Sequence, residues 1–94
     1  MKTAKKKTAK TRTKKIDAHP IDIRVGQRIR EIRKSLGMTQ RVIAKQIGVK
    51  FQQVQKYEAG ANRVSASKLW MIAEVLGVRV EDFFEGVEYK RVRK

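Results

Sequence analysis

The stretch GMTQRVIAKQIGVKFQQVQKYEAGANRVSA, residues 37–66, decides the fold. Its second half, VKFQQVQKYEAG (residues 49–60), carries Gln52, Gln53 and Gln55. At about 100° per residue, Val54 and Tyr57 share one side of a helix. Gln52 lies almost opposite them, with Gln55 and Lys56 beside it. Phe51 and Gln53 occupy the two flanks. A helix packed through Val54 and Tyr57 therefore holds out a ridge of amides close to charge. Such a ridge is either a plain solvated face or a set of directional hydrogen-bonding groups with a partner to meet.

The first half of the stretch reads as a preceding helix. Thr39 is a good N-cap, and the helix runs to Ile47 with Val42, Ile43 and Ile47 inward. Gly48 ends it. Only Gly48 and Val49 separate the two helices, too few for a relaxed antiparallel hairpin, so they must cross steeply. Ala44 is small enough for close packing at the crossing. Gly48 takes positive φ in the turn without a steric penalty. Ile43, Ile47, Val49, Val54 and Tyr57 fill the wedge.

Working outward, Val25, Ile29, Ile32 and Leu36 repeat at helical spacing and form one stripe from Ile21 onward. Asp22 is a plausible cap for that helix, and Gly37 stops it. After Gly60 and the loop ANRVS, Ser65 or Ser67 caps a further helix with Leu69, Ile72, Ala73 and Leu76 inward, stopped by Gly77. A short fifth turn, VEDFFEG, offers Val80, Phe83 and Phe84. The fold class is all-α, five short helices around one core, with no strong strand signal and no internal repeat. Trp70, Met71, Val80, Phe83, Phe84, Val87 and Tyr89 exceed what the helices need. They either complete the core or leave an apolar seam for a second copy.

Ninety-four residues make one small domain at most. The 24 Lys and Arg against 9 acids give a formal charge of +15, which favours an anionic partner. Residues 1–15, MKTAKKKTAKTRTKK, hold eight of those cations and no acid, and the rest of the chain still carries +7. Three segments follow: a basic arm over residues 1–20, kept disordered by like-charge repulsion, a helical domain over 21–86, and a basic tail over 87–94 that is strand-like or disordered. The chain has no cysteine, hence no disulfide and no thiolate metal site, as suits a reducing cytoplasm. No apolar run approaches the roughly 18 residues that span a bilayer, so no membrane role is expected. The N-terminus lacks the apolar stretch of a secretory signal. His19, beside Pro20 and without a second ligand, reads as a linker residue; no metal site and no cofactor are expected.

The segment from Arg24 to about Glu85 resembles the phage-repressor helix-turn-helix family, of the Cro/repressor or Xre type. The likeness rests on TQ opening the second helix, on the Ala44, Gly48 and apolar spacing, and on Tyr57-Glu58-x-Gly60 closing the third. It implies a five-helix, lambda-repressor-like domain that binds double-stranded DNA as a two-fold homodimer. It does not extend to the arm or the tail. By position match, Lys50, Phe51, Gln52, Gln55 and Lys56 of the third helix would read bases. Gln52, farthest from the core, suits bidentate pairing with adenine. Phe51 either packs a thymine methyl or folds back onto the core. Thr39, Gln40, Arg41, Lys45, Gln53, Asn62 and Arg63 would meet the DNA backbone or position the helix, helped by the amides at the second helix's N-terminus. Arg33 and Glu58 would form an ion pair that orients the third helix.

These readings converge on a sequence-specific transcription regulator, a repressor of its own or a nearby operon. A rival within the same family is an antitoxin-type module with a protein partner, which a co-purifying protein would reveal. A polybasic membrane-surface or nucleoid protein explains the arm but not the helix spacing. An enzyme finds no Ser-His-Asp set, no metal-ligand cluster and no phosphate loop.

Overall fold

The computed structural model describes residues 18–88. Four α-helices, α1 (Pro20–Ser35), α2 (Gln40–Ile47), α3 (Phe51–Ala59) and α4 (Ala66–Leu76), are followed by a 3-10 turn at Val80–Phe84. The expected fifth helix is thus this single tight turn, and there is no strand among the described residues. The arm up to residue 17 and the tail from residue 89, including Tyr89, lie outside the described residues.

α1 begins one residue earlier than its apolar pattern suggests, and its cap is His19, not Asp22. The His19 Nδ1 accepts the Ile21 N–H at 3.0 Å, and Pro20, which has no N–H to satisfy, takes the first helical position. Asp22 sits inside the first turn, and its carboxylate accepts from Arg63 Nε at 3.1 Å. Val25 and Ile29 face inward and Ile32 is half-buried, but Leu36 is exposed. The helix ends at Ser35, and Leu36 is its C-cap residue, past the last helical position of the stripe.

One feature of α1 carries the packing. Gly26 is buried where α1 crosses α3, and a Cβ there would overlap the carbonyl oxygens of Tyr57 and Glu58. The two backbones approach closely only because that side chain is missing. The core beneath is built from Val25, Ile29, Ile43, Ala44, Ile47, Val54, Tyr57, Leu69, Ile72, Ala73, Leu76 and Phe83. Val42, expected inward, is 42% exposed. The buried stripe of α2 is Ile43, Ala44 and Ile47, and Val42 lies one residue step around the helix from it, past the covered edge.

Ser65 caps α4, its hydroxyl accepting the Lys68 N–H at 3.3 Å. The 3-10 turn is fixed to α1 by two arginines. Arg28 Nε donates to the Asp82 carbonyl at 3.0 Å, Arg28 Nη2 meets Glu85 Oε1 at 2.8 Å, and Arg24 Nε donates to the Glu85 carbonyl at 2.8 Å. Of the surplus apolar residues, Phe83 is fully buried and Val80 packs against the core, whereas Trp70 (62%), Met71 (41%) and Phe84 (39%) stand exposed.

Candidate nucleic-acid interface

The α2–α3 corner sets the site. Thr39 Oγ1 accepts the Val42 N–H at 3.2 Å and so caps α2. Gly48 ends that helix at φ +76°, and the following Val49 N–H closes back on the Ala44 carbonyl at 3.0 Å. A left-handed residue here turns the chain abruptly, so α3 starts three residues later from Lys50. Lys68 of α4 braces the same corner: its Nζ donates to the Ile47 carbonyl at 2.8 Å, placing a cation on the negative end of α2.

A buried ion pair fixes the third helix. Arg33 Nε donates to Glu58 Oε2 at 2.7 Å and Arg33 Nη2 to Glu58 Oε1 at 3.0 Å, a two-pronged pair between α1 and α3. The third guanidinium nitrogen, Nη1, donates to the Met38 carbonyl at 2.8 Å and ties in the loop before α2. Gln40 adds a fourth strand to the knot, its Nε2 donating to Glu58 Oε1 at 2.9 Å. Both charges are largely withdrawn from water, each guanidinium nitrogen of Arg33 donates one hydrogen bond and both carboxylate oxygens of Glu58 accept. The knot therefore holds the α2 N-terminus and the α3 C-terminal turn in one fixed relation.

What remains outward is the amide ridge. Gln52, Gln55, Lys56 and the capping Lys50 are exposed; Phe51 and Gln53 are half-buried on the flanks. Arg41 and Lys45 of α2 are exposed too, and the Arg41 guanidinium lies over the Phe51 ring, 4.0 Å from its centroid. Gln55 borders a cleft that it shares with Thr39 and Gln40, so part of α3's ridge and the start of α2 face the same space. Arg30 of α1 lines that cleft as well, a cation that sequence spacing did not single out because nothing in a helical stripe marks an outward Arg. Asn62 and Arg63 are exposed in the loop after α3, with Arg63 turned to Asp22.

The electrostatics are one-sided. Between Ile32 and Tyr57 the chain contains no Asp or Glu, and Glu58 at the end of that run is occupied by Arg33 and Gln40. Over residues 18–88, twelve Lys and Arg face eight acids. Several of the acids pair with Arg24, Arg28, Arg63 and Arg79, away from the ridge. The cations of the α2–α3 corner, Arg41, Lys45, Lys50 and Lys56, thus belong to a segment that holds no carboxylate of its own to neutralise them. Among the described residues no group of three His, Cys, Asp or Glu gathers to hold a metal ion, and no helix is long and apolar enough to cross a membrane.

Similarity to known proteins agrees with this geometry. A protein from Rhodospirillum rubrum, described as a transcriptional regulator in the ATPase CF(0) region, is 50% identical over 70 residues, which is 74% of this chain and 65% of that one. An HTH-type transcriptional regulator from Sinorhizobium medicae is 54% identical over 67 residues, 71% of this chain and 48% of its own. The chain thus spans only part of the length of these relatives. Among solved structures, the restriction-modification controller protein C.AhdI from Aeromonas hydrophila has a TM-score of 0.63 and 29% identity, with 66% of this chain and 94% of that chain covered. The biofilm regulator SinR, solved in complex with DNA, has a TM-score of 0.58 and 28% identity over 63% of this chain and 95% of its own. The Helix-turn-helix (HTH_3) family model matches residues 29–83, from the middle of α1 through the 3-10 turn. Matched by that model over more than half of its length, the chain belongs to the helix-turn-helix family.

Proposed function

We propose that this protein is a sequence-specific double-stranded DNA-binding transcriptional regulator, a repressor that reads a palindromic operator through α3. The observation that carries the reading is the outward ridge of Gln52, Gln55 and Lys56, in a stretch from Ile32 to Tyr57 that contains no acid, with its helix fixed by the Arg33–Glu58 pair. Glutamine presents one donor and one acceptor, and it pairs bidentately with adenine N6 and N7 in a major groove. Lys50, Phe51, Gln52, Gln55 and Lys56 are the base-side residues. Thr39, Gln40, Lys45, Gln53, Asn62 and Arg63 lie toward the phosphates or orient the helix. Gln40 fits that role while tethered: one amide hydrogen is given to Glu58, and the other remains for a phosphate oxygen.

A homodimer completes the reading. Trp70, Met71 and Phe84 are the large apolar side chains that this fold leaves uncovered around α4 and the following turn. Burying them against a second copy removes them from water and sets two α3 helices about 34 Å apart, one turn of B-DNA. The protein would then act in the bacterial cytoplasm, where the DNA is.

Selection of bound duplexes from a random pool tests the proposal. The full chain should enrich a palindrome, and Gln52→Ala should lose preference at one position per half-site, worth roughly 1 to 3 kcal/mol. A wild-type chain that enriches no consensus would remove sequence reading. A consensus without two-fold symmetry would remove the dimer.

A further inference from the structure

Arg41 stands at the start of α2, where an exposed cation ordinarily meets a phosphate. Its side chain does something else. The guanidinium lies over the Phe51 ring, 4.0 Å from the ring centroid, and is drawn across the corner toward the first residue of α3. No carboxylate holds it: it forms no ion pair among the described residues, and its own stretch from Ile32 to Tyr57 contains no acid. Phe51 in turn is not a free side chain. It is half-buried and packs against the core, so the ring is a fixed plank on which the guanidinium rests.

The stack has three consequences. A guanidinium lying on a ring keeps its face covered and its N–H edge free, and that edge matches the O6 and N7 acceptors of guanine. The fixed ring pre-orders an otherwise flexible side chain, which lowers the entropy lost on binding. Finally, the 4.0 Å separation of cation and ring is close to the rise of about 3.4 Å between successive base pairs. Laid along the duplex axis, two groups at that spacing would meet neighbouring base pairs and not the same one.

We infer that Arg41 and Phe51 form a stacked base reader, Arg41 donating to guanine while the free part of the Phe51 ring packs the methyl group of the adjacent thymine. This rests on the DNA-binding reading above, and moves Arg41 from the phosphate side, where sequence placed it, to the base side. It also gives both expectations for Phe51 a place: one part of the ring meets the core, the other the groove.

The test is the same random-pool selection run with the full chain and with Arg41→Lys, Arg41→Ala and Phe51→Leu. Arg41 is exposed and leucine keeps position 51 apolar, so all three should fold, which thermal unfolding by circular dichroism checks. The wild-type half-site should contain a guanine beside a thymine. Arg41→Lys keeps the charge but loses the fork, and should lower the preference for that guanine about tenfold while other positions stay as they were. Phe51→Leu should weaken the thymine preference and, by removing the plank, the guanine preference as well. If Arg41→Lys leaves the consensus intact, and Arg41→Ala weakens all duplexes alike while reducing the salt slope by about one, then Arg41 is a phosphate contact and the stacked reader is wrong, though DNA binding stands. If Gln52→Ala and the Arg41 variants are all indistinguishable from a wild type that selects nothing, the reading beneath fails instead.

Discussion

At the scale of single residues, the Arg33–Glu58 pair explains why an exposed ridge can be rigid. The two-pronged contact, at 2.7 and 3.0 Å, lies inside the domain, with Arg33 9% and Glu58 7% exposed. Removing one partner leaves the other charged and without its counter-ion in a place with little water. Arg33→Met or Glu58→Ala should each destabilise the fold by roughly 3 to 5 kcal/mol, read as a fall in the urea midpoint. The double variant should be less harmful than the two singles added together, because neither charge is then left alone, with a coupling of about 0.5 to 3 kcal/mol. Independent, additive losses would mean that the pair does not act as a unit. Gln40→Ala separates anchoring from folding. It removes one of several bonds to Glu58, so stability should fall by only about 1 kcal/mol, while DNA affinity should fall for all sequences.

At the scale of elements, the corner was legible in sequence because its causes are local. Thr39 caps α2 by a bond three residues ahead, Gly48 adopts the left-handed turn, and Val54 and Tyr57 mark the buried side of α3 by their spacing alone. What sequence left out depends on partners distant along the chain. Gly26 looks like a weak spot in a helix until α3 lies across it, and Lys68 looks like surface charge until its ammonium reaches Ile47. His19 escaped because imidazole is an uncommon cap, and Val42 was misplaced because a helical wheel shows the apolar side but not where its covered edge stops. The candidate site divides in the same way. The outward direction of Gln52 and Gln55 follows from periodicity, whereas the Arg41–Phe51 stack joins two elements and has no sequence signature. Gly26 supplies a prediction with a decisive sign. In an exposed helix interior, Gly→Ala gains about 1 kcal/mol from helix propensity. Here the added methyl would strike the Tyr57 and Glu58 carbonyls, so Gly26→Ala should instead lose roughly 1 to 3 kcal/mol as α1 and α3 are forced apart. An unchanged or higher melting temperature would show that the two helices have room to separate.

At the scale of the whole molecule, charge is divided between a modestly basic domain and two strongly basic ends. Residues 18–88 account for a net +4 of the +15, residues 1–17 for +7 and residues 89–94 for the remaining +4. The domain's own cations suit a bound duplex, but the larger share of long-range attraction belongs to the ends. Lys and Thr predominate in residues 1–15, MKTAKKKTAKTRTKK, with a single Arg and no aromatic residue, a composition that attracts phosphates without distinguishing bases. Each phosphate neutralised releases counter-ions, and the logarithm of affinity falls against the logarithm of salt by about 0.9 per contact. If all eight cations of residues 1–15 engage, deleting them should flatten that slope by as much as about 7, and by about 0.9 for each contact actually made. The shortened chain should bind every duplex more weakly at low salt, and approach the full chain as salt rises and the released ions matter less. Its selected consensus should be the same. Titrations of a labelled duplex at several salt concentrations, paired with a random-pool selection of the shortened chain, separate the two roles. An altered consensus with an unchanged slope would make these residues readers of sequence, and would move part of the specificity away from α3.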